Sequence, residues 1–222
     1  MEQIEQVRIP GSVPLDGDLS VPANARGIVI FAHGSGSSRF SPRNQYVAEQ
    51  LRQAGIGTLL MDLLSPQEEA VDDDTAELRF NIPLLAERLE LATAWLHKRE
   101  DTSTFDLGYF GASTGAAAAL IAAADLPELI RAVVSRGGRP DLAGDALSRV
   151  KAPTLLIVGG SDVPVIGMNR EALVKIPAEK KLQIVPGATH LFEEPGALEQ
   201  VSRLARDWFA RYLGAKRDTR VA

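Results

Sequence analysis

A Gly-x-Ser-x-Gly pattern at residues 111–115 constrains the fold of this chain more than any other segment. It follows the apolar residues 107–110 and leads into the alanine-rich residues 116–124. This order predicts a buried strand, a sharp turn and a helix, with the hydroxyl of Ser113 at the apex and the helix N-terminus behind it. Both glycines are needed, because a side chain at either position would collide with the neighbouring backbone. The pattern therefore favours a nucleophilic serine.

Apolar strands alternate with amphipathic helices along most of the chain. This alternation predicts an α/β protein with a mostly parallel, twisted sheet and helices on both faces. An antiparallel pair of strands is expected ahead of it, at residues 7–9 and 15–21. Strands are then predicted at residues 27–32, 58–61, 107–110, 132–134, 154–158 and 182–185, and helices at residues 44–53, 78–99, 116–124, 169–175 and 197–213.

The predicted elements form one domain at residues 1–214, and residues 215–222 are expected to be a frayed C-terminal tail. Of the 222 residues, 45% are hydrophobic and 24% charged, as in an ordinary globular protein. The acidic residues between 65 and 75 are interpreted as a solvated loop, because they lack the glycine and distal glutamate of a calcium loop. Residues 135–151 are too few for a helical lid, so we expect an open, shallow site.

Charge and cysteine content exclude several classes of protein. The net charge of −5 and the scattered lysines and arginines argue against a nucleic-acid partner. The absence of cysteine excludes a disulfide scaffold, a zinc–thiolate site and a cysteine nucleophile, and it fits a reducing compartment. The N-terminus lacks the apolar segment of a signal peptide, and the longest apolar stretch is too short to cross a bilayer. We therefore expect a cytoplasmic protein with no membrane partner; its state as monomer or homodimer stays open.

A serine nucleophile needs a base, and the chain has three histidines. His190 is the favoured base, because it follows the last predicted strand in a loop that leads into the final helix. His33 follows the strand at residues 27–32 and is expected to hold its own loop. His97 lies near the end of a long helix, where we expect it to be exposed.

The third member of such a group is a carboxylate that orients the imidazole and stabilises its cation. Asp162 is favoured, since it follows the strand at residues 154–158 after two glycines that permit a tight turn. Asp141 and Glu193 are alternatives. Asp141 lies further beyond its strand, and Glu193 comes after the histidine in the chain.

The order Ser113, Asp162, His190 is that of the α/β-hydrolase fold. The sequence resembles this superfamily, and specifically its small, lidless dienelactone-hydrolase-like branch. The resemblance implies a cofactor-free serine hydrolase, with no metal, acting on a small-molecule acyl substrate. Dienelactone hydrolase itself uses a cysteine nucleophile, so its lactone specificity is not carried over to this chain. The matching segments are residues 31–38, 111–115, 159–162 and 187–190.

An oxyanion hole needs two backbone N–H groups directed at the developing charge. One should be the N–H of Thr114, the residue after the nucleophile. Resemblance to His-Gly-x loops of the superfamily assigns the other to Ser35. The alternative for that Gly/Ser-rich loop is a phosphate cradle, but it lacks the Gly-Lys-Ser/Thr ending of a nucleotide-binding loop.

Several arginines follow predicted strands and could clamp a carboxylate or phosphate at the mouth of the site. Arg39 and Arg43 follow the strand at residues 27–32, and Arg136 and Arg139 follow the strand at residues 132–134. Arg39 and Arg136 are the candidates for contact with substrate, and ordinary surface charge is the alternative.

The sequence predicts hydrolysis of small carboxylic esters, thioesters or lactones through an acyl-enzyme intermediate. Two alternatives stay open. The same triad could cleave amide or peptide bonds, or the chain could be a non-catalytic binding module that kept the fold.

Overall fold

The computed structural model describes residues 4–214, so the tail predicted at residues 215–222 lies outside the described residues. Within this part of the chain, three consecutive strands are followed by strands and helices that mostly alternate, eight strands in all. The strands are β1 Glu5–Ile9, β2 Leu15–Ser20, β3 Gly27–Ala32, β4 Gly57–Met61, β5 Asp106–Ala112, β6 Ile130–Arg136, β7 Thr154–Gly159 and β8 Lys180–Val185. The α-helices are α1 Pro42–Gln53, α2 Pro66–Thr75, α3 Ile82–Lys98, α4 Thr114–Asp125, α5 Val163–Lys175 and α6 Ala197–Tyr212.

The strands form a single sheet in the order β1-β2-β4-β3-β5-β6-β7-β8. β2 pairs antiparallel with β1 and β4, whereas every neighbouring pair from β4 to β8 is parallel. This arrangement confirms the predicted mostly parallel sheet with an antiparallel pair at one edge. Because the central strands run in one direction, their carboxyl ends and the loops that follow them meet at one edge of the sheet.

Helices cover both faces of the sheet, as the strand sequences require. β3 is buried at every position, and its side chains alternate between the two faces. Ile28 and Ile30 join the core beneath α3 and α4, while Val29 and Phe31 join the core beneath α1 and α6. Burial on both faces therefore explains why the sequence of β3 is continuously apolar.

The prediction of a solvated acidic loop was wrong, because residues 66–75 form helix α2. Ser65 caps this helix with a capping box, in which its side chain accepts from the Glu68 amide and the Glu68 carboxylate accepts from the Ser65 amide. Asp72 is buried and accepts hydrogen bonds from the backbone amides of Leu78 and Arg79. Burial raises the pKa of Asp72, but these bonds and the Arg79 guanidinium outweigh it and lower that pKa overall.

The connection between β6 and β7 contains only a short 3₁₀ segment, Pro140–Arg149, so the expectation of no lid is confirmed. Gly144 interrupts this segment with a φ of 54°, and a Cβ atom there would meet nothing within 4 Å. The segment packs on α4 and α5.

Two helical glycines give opposite predictions for replacement by alanine. A Cβ at Gly115 would lie 2.5 Å from the carbonyl oxygen of His33, so Gly115→Ala should destabilise the protein by about 3 kcal/mol. Gly167 in α5 has open space around the same position, so Gly167→Ala should stabilise it by about 0.5–1 kcal/mol. Urea unfolding measures both. Equal effects of the two substitutions would contradict the packing described here.

Candidate active site

Ser113 occupies the sharp turn between β5 and α4. Its φ of 50° and ψ of −121° are strained for a residue with a side chain, as in a nucleophile elbow. The neighbouring strand holds this conformation. The Ser113 amide donates to the Arg136 carbonyl at 3.2 Å, and the Ser113 carbonyl accepts from the amides of Ala116 and Arg139 at 3.1 and 3.0 Å. A Cβ at Gly111 would lie 2.7 Å from the Ala116 nitrogen, so only glycine fits there.

The loops after β7 and β8 bring Asp162 and His190 together. His190 Nδ1 lies 2.7 Å from Asp162 Oδ2. The loops approach closely because Gly159 has no side chain: a Cβ there would lie 2.5 Å from the Thr189 carbonyl oxygen. The Ser161 amide joins them by donating to the Ala188 carbonyl at 2.9 Å. With Nδ1 occupied by the carboxylate, Nε2 is the ring nitrogen left for a proton transfer.

Ser113 and His190 line the same cleft, with a volume of about 190 Å³. Among residues 4–214, no hydrogen bond joins the Ser113 hydroxyl to the His190 ring. Such contacts are often long in enzymes before substrate binds, and they tighten in the reacting complex. The other lining residues come from the loop after β3, the start of α1, the ends of β5 and β6 and the loop after β8: Gly34, Ser35, Ser37, Ser41, Arg43, Asn44, Ala112, Arg136 and Leu191.

The alternative carboxylates are held elsewhere. Asp141 pairs with Arg139 at 2.7 Å, and the exposed Glu193 pairs with Arg43 at 3.2 Å. Of the carboxylates that the sequence offered, Asp162 is the one that contacts His190 in the part of the chain described.

The loop after β3 packs directly on the serine turn. A Cβ at Gly34 would lie 3.0 Å from Ser113 Cβ, so Gly34 permits the approach. Thr114 is the first residue of α4, where backbone amides have no partner within the helix. The Ser35 amide, however, donates to Thr114 Oγ1 at 3.0 Å, and the two side-chain hydroxyls lie 2.8 Å apart. Both predicted oxyanion residues are therefore at the turn, but a hydrogen bond that the sequence did not reveal already uses the Ser35 amide.

His33 is buried behind this loop, in the supporting role expected of it. Its Nε2 accepts from the Leu63 amide at 3.1 Å, and its Nδ1 donates to the Gly34 carbonyl at 3.0 Å. This assignment of the ring proton follows from the partners, because an amide can only donate and a carbonyl can only accept. Burial lowers the pKa of His33, so the ring is neutral in the folded protein.

The structure separates the two arginines considered for substrate binding. Arg39 forms ion pairs with Asp62 and Asp18 and is not among the residues that line the cleft. Arg136 does line it, beside Arg43 and Asn44. The sequence indicated Arg43 as one of the arginines that follow the strand at residues 27–32, whereas it indicated Asn44 only as the start of a predicted helix.

The fold and this site together define an α/β hydrolase. A parallel sheet carries a strained serine turn after β5, and an aspartate–histidine pair lies at the same edge of the sheet. The model of the dienelactone hydrolase family matches residues 15–213, so the chain belongs to that family of hydrolases.

Similar proteins agree on the fold. A crystal structure of a dienelactone hydrolase from Anabaena variabilis is 60% identical, with a TM-score of 0.94, over 96% of this chain and 99% of that one. A Xanthomonas campestris protein, described as an α/β serine hydrolase without lid, is 21% identical, with a TM-score of 0.77, over 96% of each chain.

Two curated relatives, from two strains of Mycobacterium tuberculosis, carry a different name. Each is named a phosphoribosyl transferase and is 60% identical over 210 residues, which are 94% of this chain. The chain spans only 46% of their length.

None of the helices within residues 4–214 has the length and apolar character to cross a membrane.

The buried neutral ring of His33 predicts loss of stability in mild acid. Its folded pKa lies below the unfolded value of 6.5, so below that pH the unfolded chain binds a proton that the folded one does not. The contribution of the neutral His33 ring to the free energy of unfolding is fully present above about pH 7.5. It falls by up to about 1.4 kcal/mol per pH unit as the pH drops below 6.5. Urea unfolding at pH 7.5 and 5.5 measures the loss.

The control for this prediction is His33→Gln, whose side-chain oxygen can accept the Leu63 amide but cannot titrate. Its loss between the two pH values should be smaller than that of the wild type. Identical losses would show that His33 does not titrate with unfolding.

Proposed function

We propose that this protein is a serine hydrolase that cleaves small carboxylic esters, thioesters or lactones through an acyl-enzyme intermediate. The observation that carries the proposal is the His190–Asp162 contact of 2.7 Å beside the strained Ser113 turn, in one cleft. A serine hydroxyl is a poor nucleophile by itself, and this arrangement supplies both a base and the carboxylate that orients it.

In the proposed reaction, Ser113 Oγ attacks the acyl carbon while His190 Nε2 accepts its proton. The tetrahedral intermediate collapses, and His190 returns that proton to the leaving alcohol, thiol or ring oxygen. A water molecule then attacks the acyl-enzyme with His190 again acting as base, and Ser113 is released together with the acid. Asp162 holds the ring in place and stabilises the imidazolium.

The N–H of Thr114 is the first proposed donor to the oxyanion. The Ser35 amide is the second, and it must share its hydrogen between the oxyanion and Thr114 Oγ1 or be freed by rotation of that side chain. A threonine hydroxyl can rotate about χ1 at modest energy, so the second donor is within reach once charge develops.

The size of the cleft favours a small substrate. Its volume of about 190 Å³ lies below the usual range for drug-sized ligands. A second cavity of about 260 Å³ lies beside it and shares the loop residues Gly34, Ser35 and Ser37. Leu63, Leu64 and Leu85 give that cavity one apolar wall for a short alkyl group of the substrate, while acidic residues of α2 and Arg79 line other parts of it.

We infer that the transferase name of the Mycobacterium tuberculosis relatives refers to the part of their chains that this protein does not match. This chain spans 46% of their length, and the hydrolase family model covers almost all of it. We propose that the hydrolase site is one part of those longer proteins and that the transferase named belongs to the rest. A cytoplasmic location and the absence of a cofactor, expected from the sequence, stay predictions.

Replacing Ser113 by alanine tests the nucleophile. Ser113→Ala should lower kcat/KM for p-nitrophenyl butyrate by roughly 10⁴–10⁶-fold, because the attacking oxygen is lost. A fluorophosphonate probe should label the wild type at Ser113 and leave the variant unlabelled. Ser148→Ala is the control, since the Ser148 hydroxyl is exposed and donates to the Asp145 carbonyl.

The outcomes separate the candidate functions. Absence of labelling, together with absence of ester hydrolysis, would favour the non-catalytic module. Faster cleavage of a matched butyryl amide than of the ester would favour the amide hydrolase.

Replacing the aspartates in turn tests the third member of the triad. Asp162→Asn should lower kcat about 10⁴-fold, because the imidazole loses both its orientation and the charge that stabilises its cation. Asp141→Asn is the matched control and should stay close to the wild type, since Asp141 pairs with Arg139. A large loss in Asp141→Asn with little loss in Asp162→Asn would reverse the assignment.

A further inference from the structure

Arg136 is a buried arginine without an acidic partner. Its side chain is only 6% exposed although it lines the cleft. One terminal nitrogen donates a long hydrogen bond of 3.4 Å to Asn44 Oδ1, and Nε has no hydrogen-bond partner among the residues that the structure describes. Among residues 4–214, no carboxylate forms an ion pair with it.

An unpaired buried charge is unfavourable, because its hydration is lost and little replaces it. Burial, together with the nearby Arg43, lowers the pKa of Arg136 to about 10. The guanidinium is therefore still charged at neutral pH. An anion bound in the cleft would supply the opposite charge and the hydrogen-bond acceptors that Arg136 lacks in the folded chain.

The surroundings of Arg136 are positive. Arg43 lines the same cleft, and within the described part of the chain its ion pair is with Glu193, a side chain that is 64% exposed. Both Arg43 and Asn44 lie in the first turn of α1, whose N-cap Ser41 also borders the cleft. The N-terminus of a helix carries a partial positive charge and attracts anions.

Arg136 also lies next to the proposed nucleophile. It is paired with Ala112 in the β5–β6 register, and its carbonyl accepts from the Ser113 amide. An anion bound by its guanidinium would occupy the cleft that contains the Ser113 hydroxyl. The ring of Phe192 lies 5.9 Å from the guanidinium and helps to hold it, although Phe192 itself adopts a positive φ of 58°.

We propose that Arg136, with Arg43 and the N-terminus of α1, binds a phosphate group on the substrate. That the bound phosphate belongs to a substrate rests on the proposed function, whereas the anion site itself is defined by Arg136 and Arg43. The substrate class is then a small ester, thioester or lactone that carries a phosphate group within the cleft.

Charge balance favours phosphate over carboxylate. Two guanidinium groups and a helix N-terminus lie at the cleft; the exposed Glu193 pairs with Arg43, and the Asp162 carboxylate pairs with His190 rather than with an arginine. A phosphate monoester brings close to two negative charges at neutral pH and several acceptor oxygens, which the forked guanidinium can bind in pairs. A single carboxylate would leave part of the positive charge unbalanced.

Thermal unfolding with inorganic phosphate as the probe tests the site without any need for turnover. At constant ionic strength, phosphate should raise the Tm of Ser113→Ala in a saturable way, by roughly 5–10 °C at a hundredfold excess over Kd. Adding Arg136→Met should abolish that shift, whereas Arg206→Met should keep it. Arg206 is the matched control, because it is an exposed arginine on α6 that pairs with its neighbour Asp207. Succinate in place of phosphate distinguishes a carboxylate site, which a larger shift with succinate would indicate.

Inhibition links the anion site to the cleft. Phosphate should inhibit hydrolysis of p-nitrophenyl butyrate competitively, with a Ki that rises about 10–100-fold in Arg136→Met and stays near the wild-type value in Arg206→Met. In phosphate-free buffer, Arg136→Met should unfold at the wild-type temperature or above it, because it removes an unpaired buried charge. If Arg136→Met does not fold, Arg136→Lys takes its place in both experiments. The lysine variant should bind phosphate more weakly, because it lacks the forked guanidinium group.

The results distinguish this inference from the proposed function. Absence of any saturable phosphate shift, or an equal shift in Arg136→Met, overturns the anion site even if esters are hydrolysed. A shift that depends on Arg136, in a protein that neither hydrolyses esters nor reacts with fluorophosphonate, supports the anion site and overturns the hydrolase proposal. A marked loss of stability in Arg136→Met with unchanged phosphate binding would show that Arg136 is structural.

Discussion

The close approach of main-chain segments around Ser113 is the constraint on which the rest of this structure depends. The loop after β3 and the first turn of α4 both pack against the end of β5 without an intervening side chain, and a Cβ at Gly34, Gly111 or Gly115 would crowd neighbouring atoms. This packing keeps Ser113 in a backbone conformation that it would not adopt in isolation. Any candidate chemistry at this edge of the sheet is built on that enforced turn.

Most of the fold could be predicted from the sequence, because its strands are buried on both faces and alternate with periodic helices. The exception, α2, is instructive. Its acidic residues resemble a solvated loop when they are counted by charge alone, whereas Ser65, Pro66 and Glu68 form a helix start signal that outweighs composition. Burial of Asp72 depends on Arg79 beyond the end of the helix, and local periodicity contains no information about that contact.

The candidate site was predictable in its order along the chain and less so in its contacts. Ser113, Asp162 and His190 each follow a strand, and parallel strands bring such residues to one edge. Which partner each side chain takes is decided by packing between distant segments. Arg39 is held by Asp18 and Asp62, and the hydroxyl of Thr114 reaches the Ser35 amide; neither contact follows from spacing or residue type. The same holds for Arg136, whose lack of an acid is visible only once every neighbour is in position.

The break in the 3₁₀ segment at Gly144 has a consequence for how this scaffold can diversify. Gly144 is exposed, and a Cβ there would meet nothing within 4 Å, so additional residues at that point would not disturb the sheet. Because the segment joins β6 to β7, an insertion there would connect the strand that ends in Arg136 to the strand that precedes Asp162. The fold thus has an exposed point for insertions between these two strands, separate from the candidate site residues Ser113, Asp162 and His190.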